Sequence, residues 1–343
     1  MEPRFFASDN SSPVHPRVFE ALAAANSGHA GSYGHDRWTE AAEQQLQQLF
    51  QTDADLPKVF FAYNGTGANT MALRAVVPPY GAIICTELSH INRDEAGAVQ
   101  AAGAGRLCTV PGHEGKLQPD DILQWMGDRG VEHHSQPVAV SITQPTEIGT
   151  VYSRDELAAI VECCRTNGLY LHMDGARLAN ACAYLGCSPS EAAAGVDVLA
   201  FGGTKNGMMF GEAIIVFDQR AADVMRFHRK QLAQLHSKMR YISAQFSALL
   251  QDGLYLQNAT AANAAARRLN DGIAALQLPG VAPVYPVQAN GVFLRMPETV
   301  AEQLQQRWPF YRWEPGVYRV MCSWDTTPDD IDRFLSELAK ECG

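Results

Sequence analysis

Short apolar runs alternate with helical segments between residues 36 and 217. The runs are rich in Val, Ile and Phe and are bounded by turn residues, a pattern typical of buried strands. They comprise Val59–Tyr63, Ala82–Thr86, Val138–Thr143, Leu169–Asp174, Val196–Phe201 and Ala213–Phe217. Helix start signals lie between them, since Ser153 with Glu156 and Ser188 with Glu191 each form a capping box. Strands that alternate with helices predict a mostly parallel sheet covered by helices on both faces.

The pattern changes after residue 218. Long helical stretches at residues 219–252 and 254–276 come first. They are followed by the strand candidates Gly291–Met296 and Tyr318–Cys322 and by a last helix that starts at about residue 328, after Thr327. This order is typical of a smaller α+β domain. We therefore predict a large α/β domain with an N-terminal arm over residues 1–245 and a small C-terminal domain over residues 246–343.

Composition and charge exclude several classes of protein. The chain has 343 residues, 46% apolar and 19% charged, which is the composition of a globular protein and not of a disordered one. Its net charge of −10 disfavours nucleic acids and anionic membranes as partners. Residues Met1–Asn10 hold no apolar run of signal-peptide length, and no stretch approaches a membrane span, so we expect a cytoplasmic location. The eight cysteines form no CxxC pair and are expected to be free, mostly buried thiols.

One lysine lies in a glycine-rich turn. A strand runs into the segment Val198–Gly211, where apolar residues lie on both sides of Lys205. Such surroundings would remove water from the amine, lower its pKa and make it a usable nucleophile toward a carbonyl. Phosphate binding and plain exposure to solvent are the alternatives for this lysine.

Two charged side chains come at the end of the apolar run Leu169–Asp174. Asp174 and Arg177 would lie at the carboxyl end of that strand, and in open α/β sheets this is the edge where ligands bind. A buried Asp174–Arg177 ion pair or a helix cap is the structural alternative. Asp174 and Lys205 are 31 residues apart on consecutive strand–helix units, so their strand ends can be near neighbours.

A third segment, Tyr63–Asn69, is a glycine-rich turn between a strand and a helix. The free N–H groups and the dipole of such a helix N-terminus bind phosphate. The segment matches neither G-x-G-x-x-G nor the P-loop pattern. Together the three segments describe a phosphate anchor, an acid at a strand end and a desolvated lysine, and these are the groups that pyridoxal phosphate requires.

An ordered set of motifs carries a family resemblance. The set comprises Ser8-Asp9-Asn10, Tyr33-Gly34-x-Asp36, Asn64-Gly65-Thr66-x-Ala68-Asn69, His90, His172-Met173-Asp174-Gly175-Ala176-Arg177 and Phe201-Gly202-Gly203-Thr204-Lys205-Asn206-Gly207. Together these motifs resemble the L-threonine aldolases of the aspartate-aminotransferase fold type, in the branch of bacterial low-specificity and phenylserine aldolases. The resemblance covers essentially the whole chain. It implies fold type I of the PLP-dependent transferases, with the cofactor bound to the large domain.

The resemblance implies a site for pyridoxal 5'-phosphate. Lys205 would form the Schiff base with the cofactor, and Asp174 would pair with the ring nitrogen. His90 would stack on the face of the ring. Gly65 and Thr66 would hold the phosphate.

Further positions match the substrate side of the family's site. Arg177 would contact the cofactor's ring oxygen or the substrate carboxylate, which Ser8 and Arg319 would also hold. His133 falls near a family histidine that faces the substrate side chain. Tyr33 opens a motif that borders the substrate mouth, where this chain has His35 instead of the usual Glu and Arg37 instead of the usual Pro.

The family also implies an assembly in which subunits share sites. Arg240 matches a basic residue that is sent across the subunit interface toward the phosphate, with Lys230 or Lys238 as its companion. Sites of this kind are built at a dimer interface. The resemblance therefore implies a homotetramer, a dimer of dimers.

The implied reaction is retro-aldol cleavage of L-3-hydroxy amino acids, such as L-threonine, L-allo-threonine and phenylserine, to glycine and an aldehyde. The base needs a near-neutral pKa, which favours His90 or His133, with a phosphate-bound water as a third candidate. A β-eliminating lyase or a transaminase would use the same pair, Lys205 and Asp174. A metal hydrolase is disfavoured because the histidine pairs lack HExxH spacing, so no metal is predicted. A non-catalytic binding module is the remaining alternative.

Overall fold

A seven-stranded sheet forms the centre of the larger part of the fold. The computed structural model describes residues 4–50 and 57–343. The strands of this sheet are β1 (Lys58–Ala62), β2 (Gly81–Thr86), β3 (Arg106–Val110), β4 (Gln136–Thr143), β5 (Tyr170–Gly175), β6 (Val198–Gly202) and β7 (Glu212–Val216). Their order is β1-β7-β6-β5-β4-β2-β3, in which β2 to β6 pair in parallel and β7 runs antiparallel to β1 and β6.

Six of these strands coincide, within two residues at each end, with the six predicted apolar runs. The prediction missed β3. This strand lies at the edge of the sheet, where it starts with the exposed Arg106 and is only partly buried, so it lacks the continuous apolar pattern of a central strand.

Helices cover both faces of the sheet. The α-helices of residues 4–50 and 57–343, those of the smaller part of the fold included, are α1 (Pro16–Ala25), α2 (Arg37–Phe50), α3 (Gly65–Val76), α4 (His90–Arg93), α5 (Ala98–Ala101), α6 (Pro119–Leu123), α7 (Arg154–Thr166), α8 (Leu178–Leu185), α9 (Pro189–Ala192), α10 (Gln219–Gln231), α11 (Arg240–Leu250), α12 (Leu254–Leu276), α13 (Glu298–Gln305) and α14 (Pro328–Cys342). Alternate residues of β6 enter two cores. Leu199 and Phe201 pack in the core formed with α2, α7 and α11, and Val198 and Ala200 in the core formed with α3 and α10.

A second, four-stranded sheet forms the smaller part of the fold. Its strands are β8 (Ala282–Pro283), β9 (Gly291–Arg295), β10 (Tyr311–Glu314) and β11 (Val317–Met321), ordered β10-β11-β9-β8 with antiparallel neighbours. Its core includes Leu269 of α12, Val320 of β11 and Phe334 of α14. The predicted strands near residues 291 and 318 and the final helix capped by Thr327 are confirmed.

The long helix expected at residues 219–252 is two helices. Helix α10 ends at Gln231, the segment 232–239 follows with Ala233 at a φ of 59°, and α11 begins at Arg240. A non-glycine residue in the left-handed region interrupts a helix. The predicted domain boundary between residues 245 and 246 falls inside helix α11, which packs against α1 and α2. The division into two domains stays a prediction.

The N-terminal segment runs along the second sheet toward the first. The N–H of Phe6 donates to Pro309 O at 2.8 Å, and its carbonyl accepts from Met321 N–H at 2.8 Å. Arg4 forms ion pairs with Asp325 and Asp330. These contacts fix the position of the residues that follow, Ser8 and Asp9.

All eight cysteines are free thiols, six of them buried and two half-buried, as predicted. In the described parts of the chain, no helix has the length and apolar character needed to cross a membrane.

Candidate active site

Four predicted positions meet at one edge of the larger sheet. Strands β1, β2, β5 and β6 run in the same direction. The segments that follow β1, β2 and β6 carry Gly65 with Thr66, His90 and Lys205, respectively, and Asp174 is the last residue but one of β5. The carboxyl edge of a parallel sheet is where ligands bind in open α/β folds, so the strand order brings these residues together at the expected place.

Asp174 is a buried, ionised acid near the carboxyl end of strand β5. Its Oδ2 accepts from Asn69 Nδ2 at 2.8 Å and its Oδ1 from Ala176 N–H at 2.9 Å. Burial alone would raise the pKa of Asp174, but the nearby Lys205 ammonium and these hydrogen bonds outweigh it and hold the pKa below its usual range. His172 comes two residues earlier on β5 and faces the same side of the sheet as Asp174. It is fully buried, and its Nδ1 lies 2.9 Å from Ser141 Oγ, as expected for a core histidine.

Lys205 lies in a short 3-10 turn after β6. Burial lowers the pKa of its amine, and the positive charge of Arg177 adds to the effect. A methyl group at Gly202 would lie 2.4 Å from Ala176 O, so only glycine lets the turn that carries Lys205 approach the turn that follows Asp174. Glu212 fixes the same turn, because its carboxyl accepts from Gly203 N–H at 3.1 Å and from Thr204 Oγ1 at 2.8 Å.

His90 and Asp174 belong to one hydrogen-bonded network. The Nδ1 of His90 lies 2.9 Å from Glu95 Oε1. Asn69 Nδ2 donates both to this oxygen, at 2.9 Å, and to Asp174. The hydrogen bond with Glu95 raises the pKa of His90, against the effect of burial. The ring is therefore oriented by Glu95, with its Nε2 edge turned away from that carboxylate.

Arg177 is paired with Asp9 and not with Asp174. Its Nε and Nη2 donate to the two carboxylate oxygens of Asp9 at 2.6 and 2.8 Å. Burial would lower the pKa of Arg177, but Asp9 outweighs it and raises the pKa. Asn290 Nδ2 also donates to Asp9, at 3.1 Å. The structural alternative of a buried Asp174–Arg177 ion pair is therefore not what the fold contains, because Arg177 pairs with a carboxylate of the N-terminal segment and Asp174 accepts from Asn69.

Arg319 lies next to this pair with an unsatisfied donor. Its Nη2 donates to Ala7 O at 3.1 Å, while its buried Nε has no hydrogen-bond partner within residues 4–50 and 57–343. Burial lowers the pKa of Arg319, and the charge of Arg177 adds to the effect. Ser8 Oγ accepts from Asn10 N–H at 3.2 Å on the same segment. Two guanidinium groups thus share Asp9 as a nearby anion, which makes this corner suited to a further carboxylate.

Gly65 and Thr66 form the first turn of α3. Asn64 caps the helix, since its Oδ1 accepts from Gly67 N–H at 2.8 Å. The N–H groups of a first helical turn have no carbonyl partners inside the helix, so this end can bind an anion. A methyl group at Gly67 would lie 2.4 Å from Gln234 Cδ, so the segment 232–239 packs directly on this turn.

Three other predicted site residues, His133, Tyr33 and Arg240, are not close to Lys205 of the same chain. His133 is 83% exposed on the loop before β4, at the opposite edge of the sheet, and its nearest ion-pair partner is Glu132 at 3.8 Å. Tyr33 is tied to the segment 232–239 by its N–H, which donates to Ser237 O at 2.9 Å. Arg240 donates to Gly28 O at 3.2 Å.

Several polar residues of the site were not among the predicted site residues. These are Asp9, Asn69, Glu95, Glu147 and Glu212. Asp9 and Asn69 lie inside the family motifs, beside predicted site residues, and this position could have identified them as site residues. The three glutamates carry no such signal, because nothing local in the sequence marks an acid as buried.

Known proteins resemble this chain over nearly its full length. The family model of the beta-eliminating lyases matches residues 6–297. A low specificity L-threonine aldolase of Pseudomonas aeruginosa is 47% identical over 341 residues, 98% of this chain and 96% of that protein. Another, from a Pseudomonas sp. strain, is 47% identical over 97% of this chain and 96% of that protein. The chain belongs to the low specificity L-threonine aldolases of the beta-eliminating lyase family.

Solved structures agree with this membership. A Leishmania major threonine aldolase has a TM-score of 0.93 at 30% identity and covers 99% of this chain and 100% of its own. An aspartate aminotransferase from Thermus thermophilus has a TM-score of 0.68 at 16% identity, over 99% of this chain and 90% of its own, and shares the fold alone. The fold is fold type I of the PLP-dependent enzymes, as predicted, and the relatives are carbon–carbon lyases, the predicted enzyme class.

Proposed function

We propose that this chain binds pyridoxal 5'-phosphate and cleaves L-3-hydroxy amino acids to glycine and an aldehyde. L-threonine, L-allo-threonine and phenylserine-type compounds are the proposed substrates. The observation that carries the proposal is the partly buried amine of Lys205 close to the ionised carboxylate of Asp174 at the carboxyl edge of the sheet. The full-length similarity to threonine aldolases supports it.

The described residues fit this cofactor. Asp174 is buried yet ionised, so it can pair with a protonated ring nitrogen, and Lys205 can bond to the aldehyde. His90 would cover one face of the ring, and the N–H groups of Gly65 and Thr66 would hold the phosphate. When bound, the cofactor supplies an electron-accepting ring that stabilises the electron pair left on Cα when a bond to that carbon breaks.

Arg319 and Arg177, with Ser8, would hold the carboxylate of the amino acid. The unpartnered Nε of Arg319 is the donor that such a ligand would satisfy. Leaving a buried donor unpaired costs about 1–3 kcal/mol, so a bound carboxylate would recover that energy. Holding the carboxylate fixes which bond to Cα faces the cofactor.

His90 would accept the proton of the β-hydroxyl as the Cα–Cβ bond breaks. Its Nδ1 is engaged by Glu95, which leaves Nε2 as the accepting atom. The neutral ring is the active form. Because the pKa of His90 is raised, cleavage should increase with pH through a value above the ordinary histidine pKa of about 6.5.

The predicted site residues that are not close to Lys205 of their own chain would act at the active site of another subunit in a homotetramer. His133 would face the substrate, and Arg240, with Lys230 or Lys238, would approach the phosphate, in each case at the site of another subunit. Tyr33 would border the substrate mouth in the same way. Contact between copies would also cover Tyr33 and Lys230, which are exposed in a single chain.

Product analysis with the purified protein tests the proposal. The protein loaded with pyridoxal phosphate is mixed with L-threonine or L-phenylserine, and glycine, aldehyde and keto acid are measured. Equal amounts of glycine and acetaldehyde or benzaldehyde are expected. Keto acid without glycine would instead support the β-eliminating lyase or transaminase that uses the same two residues. Absence of cofactor binding would overturn the proposal altogether.

A further inference from the structure

Glu147 is a buried acid whose two carboxyl oxygens differ. It lies in the turn Thr146–Thr150 that follows β4, where Gly149 N–H donates to Thr146 O at 2.9 Å and Thr146 N–H to Thr150 O at 2.8 Å. Its Oε1 accepts from His90 N–H at 2.9 Å and from Thr143 Oγ1 at 2.7 Å. Its Oε2 is buried and has no hydrogen-bond partner among the residues that the structure describes. Such an atom is costly unless a ligand satisfies it.

The position of this carboxyl links it to the site. Thr143 pairs with Asp174 across β4 and β5, and His90 starts α4. Glu147 therefore lies between the strand that ends in Asp174 and the helix that carries His90. It is close enough to Asp174 and Arg177 for its charge to affect both groups.

We propose that Glu147 is a further ligand-contacting residue of this site, which in its protonated form donates a hydrogen bond from Oε2 to an oxygen of the bound cofactor or amino acid. The inference rests on the proposed function, since that function brings oxygen-rich ligands to this edge. Oε1 cannot carry the hydrogen, because it already accepts from two donors. The proton is held on Oε2, and no bond between heavy atoms is made or broken.

Burial favours the protonated form of Glu147. Burial raises the pKa of Glu147 and the carboxylate of Asp174 adds to the effect, while the hydrogen bonds from Thr143 and His90 act in the opposite direction, and the resulting pKa is about 7. The other titratable groups near it are the Arg177 guanidinium, the His90 ring, the Cys85 thiol and the Tyr152 hydroxyl. The last two are neutral at physiological pH because burial raises their pKa.

Two substitutions test whether Glu147 acts as a protonated hydrogen-bond donor or as an ionised acceptor. Glu147→Gln keeps an oxygen for His90 and Thr143 and places an amide N–H donor where Oε2 lies, without charge. Glu147→Met removes both polar atoms at similar length. We expect Glu147→Met to weaken ligand binding roughly tenfold and Glu147→Gln to weaken it by about threefold or less. The exposed Glu302→Gln on α13 is the matched control.

Binding measurements decide which oxygen is contacted. The dissociation constant of pyridoxal phosphate is measured by absorbance, and KM for L-threonine by aldehyde release. A rise in the dissociation constant for Glu147→Met assigns the contact to the cofactor, and a rise in KM alone assigns it to the amino acid. Wild-type affinities in Glu147→Met, or a loss in Glu147→Gln as large as that in Glu147→Met, would overturn the inference.

A cofactor-free measurement guards against variants that fold poorly. An acid with a raised pKa in the folded state keeps its proton when the unfolded chain has lost it, so its contribution to stability falls as pH rises from about 4.3 to about 7. The Tm of the wild type relative to Glu147→Gln should fall across that window and stay level above it. A constant Tm difference would contradict a protonated Glu147. Failure of the proposed function is distinguishable from failure of this inference, because in that case the wild type itself would neither bind the cofactor nor release aldehyde.

Discussion

Two regions of the molecule hold functional candidates in different ways. At the carboxyl edge of the larger sheet, Asp174 accepts a hydrogen bond from Asn69, and Arg177 forms an ion pair with Asp9 of the same chain. Around the segment 232–239, the Tyr33 N–H donates to Ser237 O, while the Arg240 guanidinium donates to Gly28 O and lies over the rings of Trp38 and Tyr241. The residues of the first region are held in place by contacts within a single chain. We expect the residues of the second region to act at the active site of another subunit.

The largest expected effect lies in the first region. Lys205→Ala removes the only proposed nucleophile, so we expect turnover to fall by at least about a thousandfold. The visible absorbance of bound pyridoxal phosphate, and its loss on borohydride treatment, should disappear as well. Lys340→Ala on α14 is the control, because its side chain lies at the far end of the chain in an exposed position. Unchanged turnover in Lys205→Ala would contradict the assignment of this lysine.

The sequence was sufficient to predict the residues at strand ends. Asp174 and Lys205 each follow an apolar run that is recognisable locally, and parallel pairing then brings the two ends together. Partners from distant segments could not be predicted. Arg177 meets Asp9 across 168 residues, and Asn69 meets Asp174 across 105, and no local pattern records such pairings.

The same limit explains the error in the second region. The composition of residues 219–252 is helical throughout, and local propensity alone predicts one helix. The break at Ala233 depends on tertiary contacts, since Gln234 Oε1 accepts from Tyr63 N–H at 2.9 Å and packs on Gly67. The segment is therefore shaped by its neighbours more than by its own residues.

A second prediction concerns the substrate carboxylate. Arg319→Ala should raise KM for L-threonine by roughly a hundredfold, because a charge-assisted hydrogen bond in a buried corner is lost. Affinity for pyridoxal phosphate should change little. The control is Arg312→Ala on the neighbouring strand β10, where the arginine pairs with Glu298 at 2.9 Å on the exposed surface. Loss of cofactor binding without a change in KM would place Arg319 on the phosphate instead.

A third prediction tests whether the second region serves another copy. Arg240→Ala should weaken cofactor binding by about tenfold, because one phosphate contact is removed. If Arg240 acts across an interface, chains carrying Lys205→Ala and chains carrying Arg240→Ala form mixed dimers in which one site has both residues. Activity at limiting cofactor should then recover to about a quarter of the wild type in a random mixture.

The matched control mixes two variants whose substituted residues both belong to the active site of their own chain. Lys205→Ala mixed with Asp174→Asn leaves every site of every dimer with at least one defect, so no recovery is expected. Recovery in neither mixture would show that Arg240 acts within its own chain or not at all. Sedimentation of an active monomer would contradict a shared site directly.

The smallest expected effect returns to the first region and concerns pH. Glu95 raises the pKa of His90 through a hydrogen bond of 2.9 Å, so Glu95→Gln should lower that pKa. If the neutral ring accepts the β-hydroxyl proton, the acid limb of kcat/KM moves to lower pH, by roughly one unit or less. The exposed Glu87→Gln is the control, and an unshifted limb would remove His90 from the role of base.

The stability of the cofactor-free chain gives the same pair a second test. A histidine whose folded-state pKa is raised stabilises the fold below its unfolded pKa, and that contribution is lost as pH rises through the folded value. Glu95→Gln should therefore lower Tm more at about pH 6 than at about pH 9. Because the His90 side chain is 38% exposed, the difference should be small. An equal loss at both pH values would mean that Glu95 acts mainly through Asn69, to which it is also bonded, and not through the charge of His90.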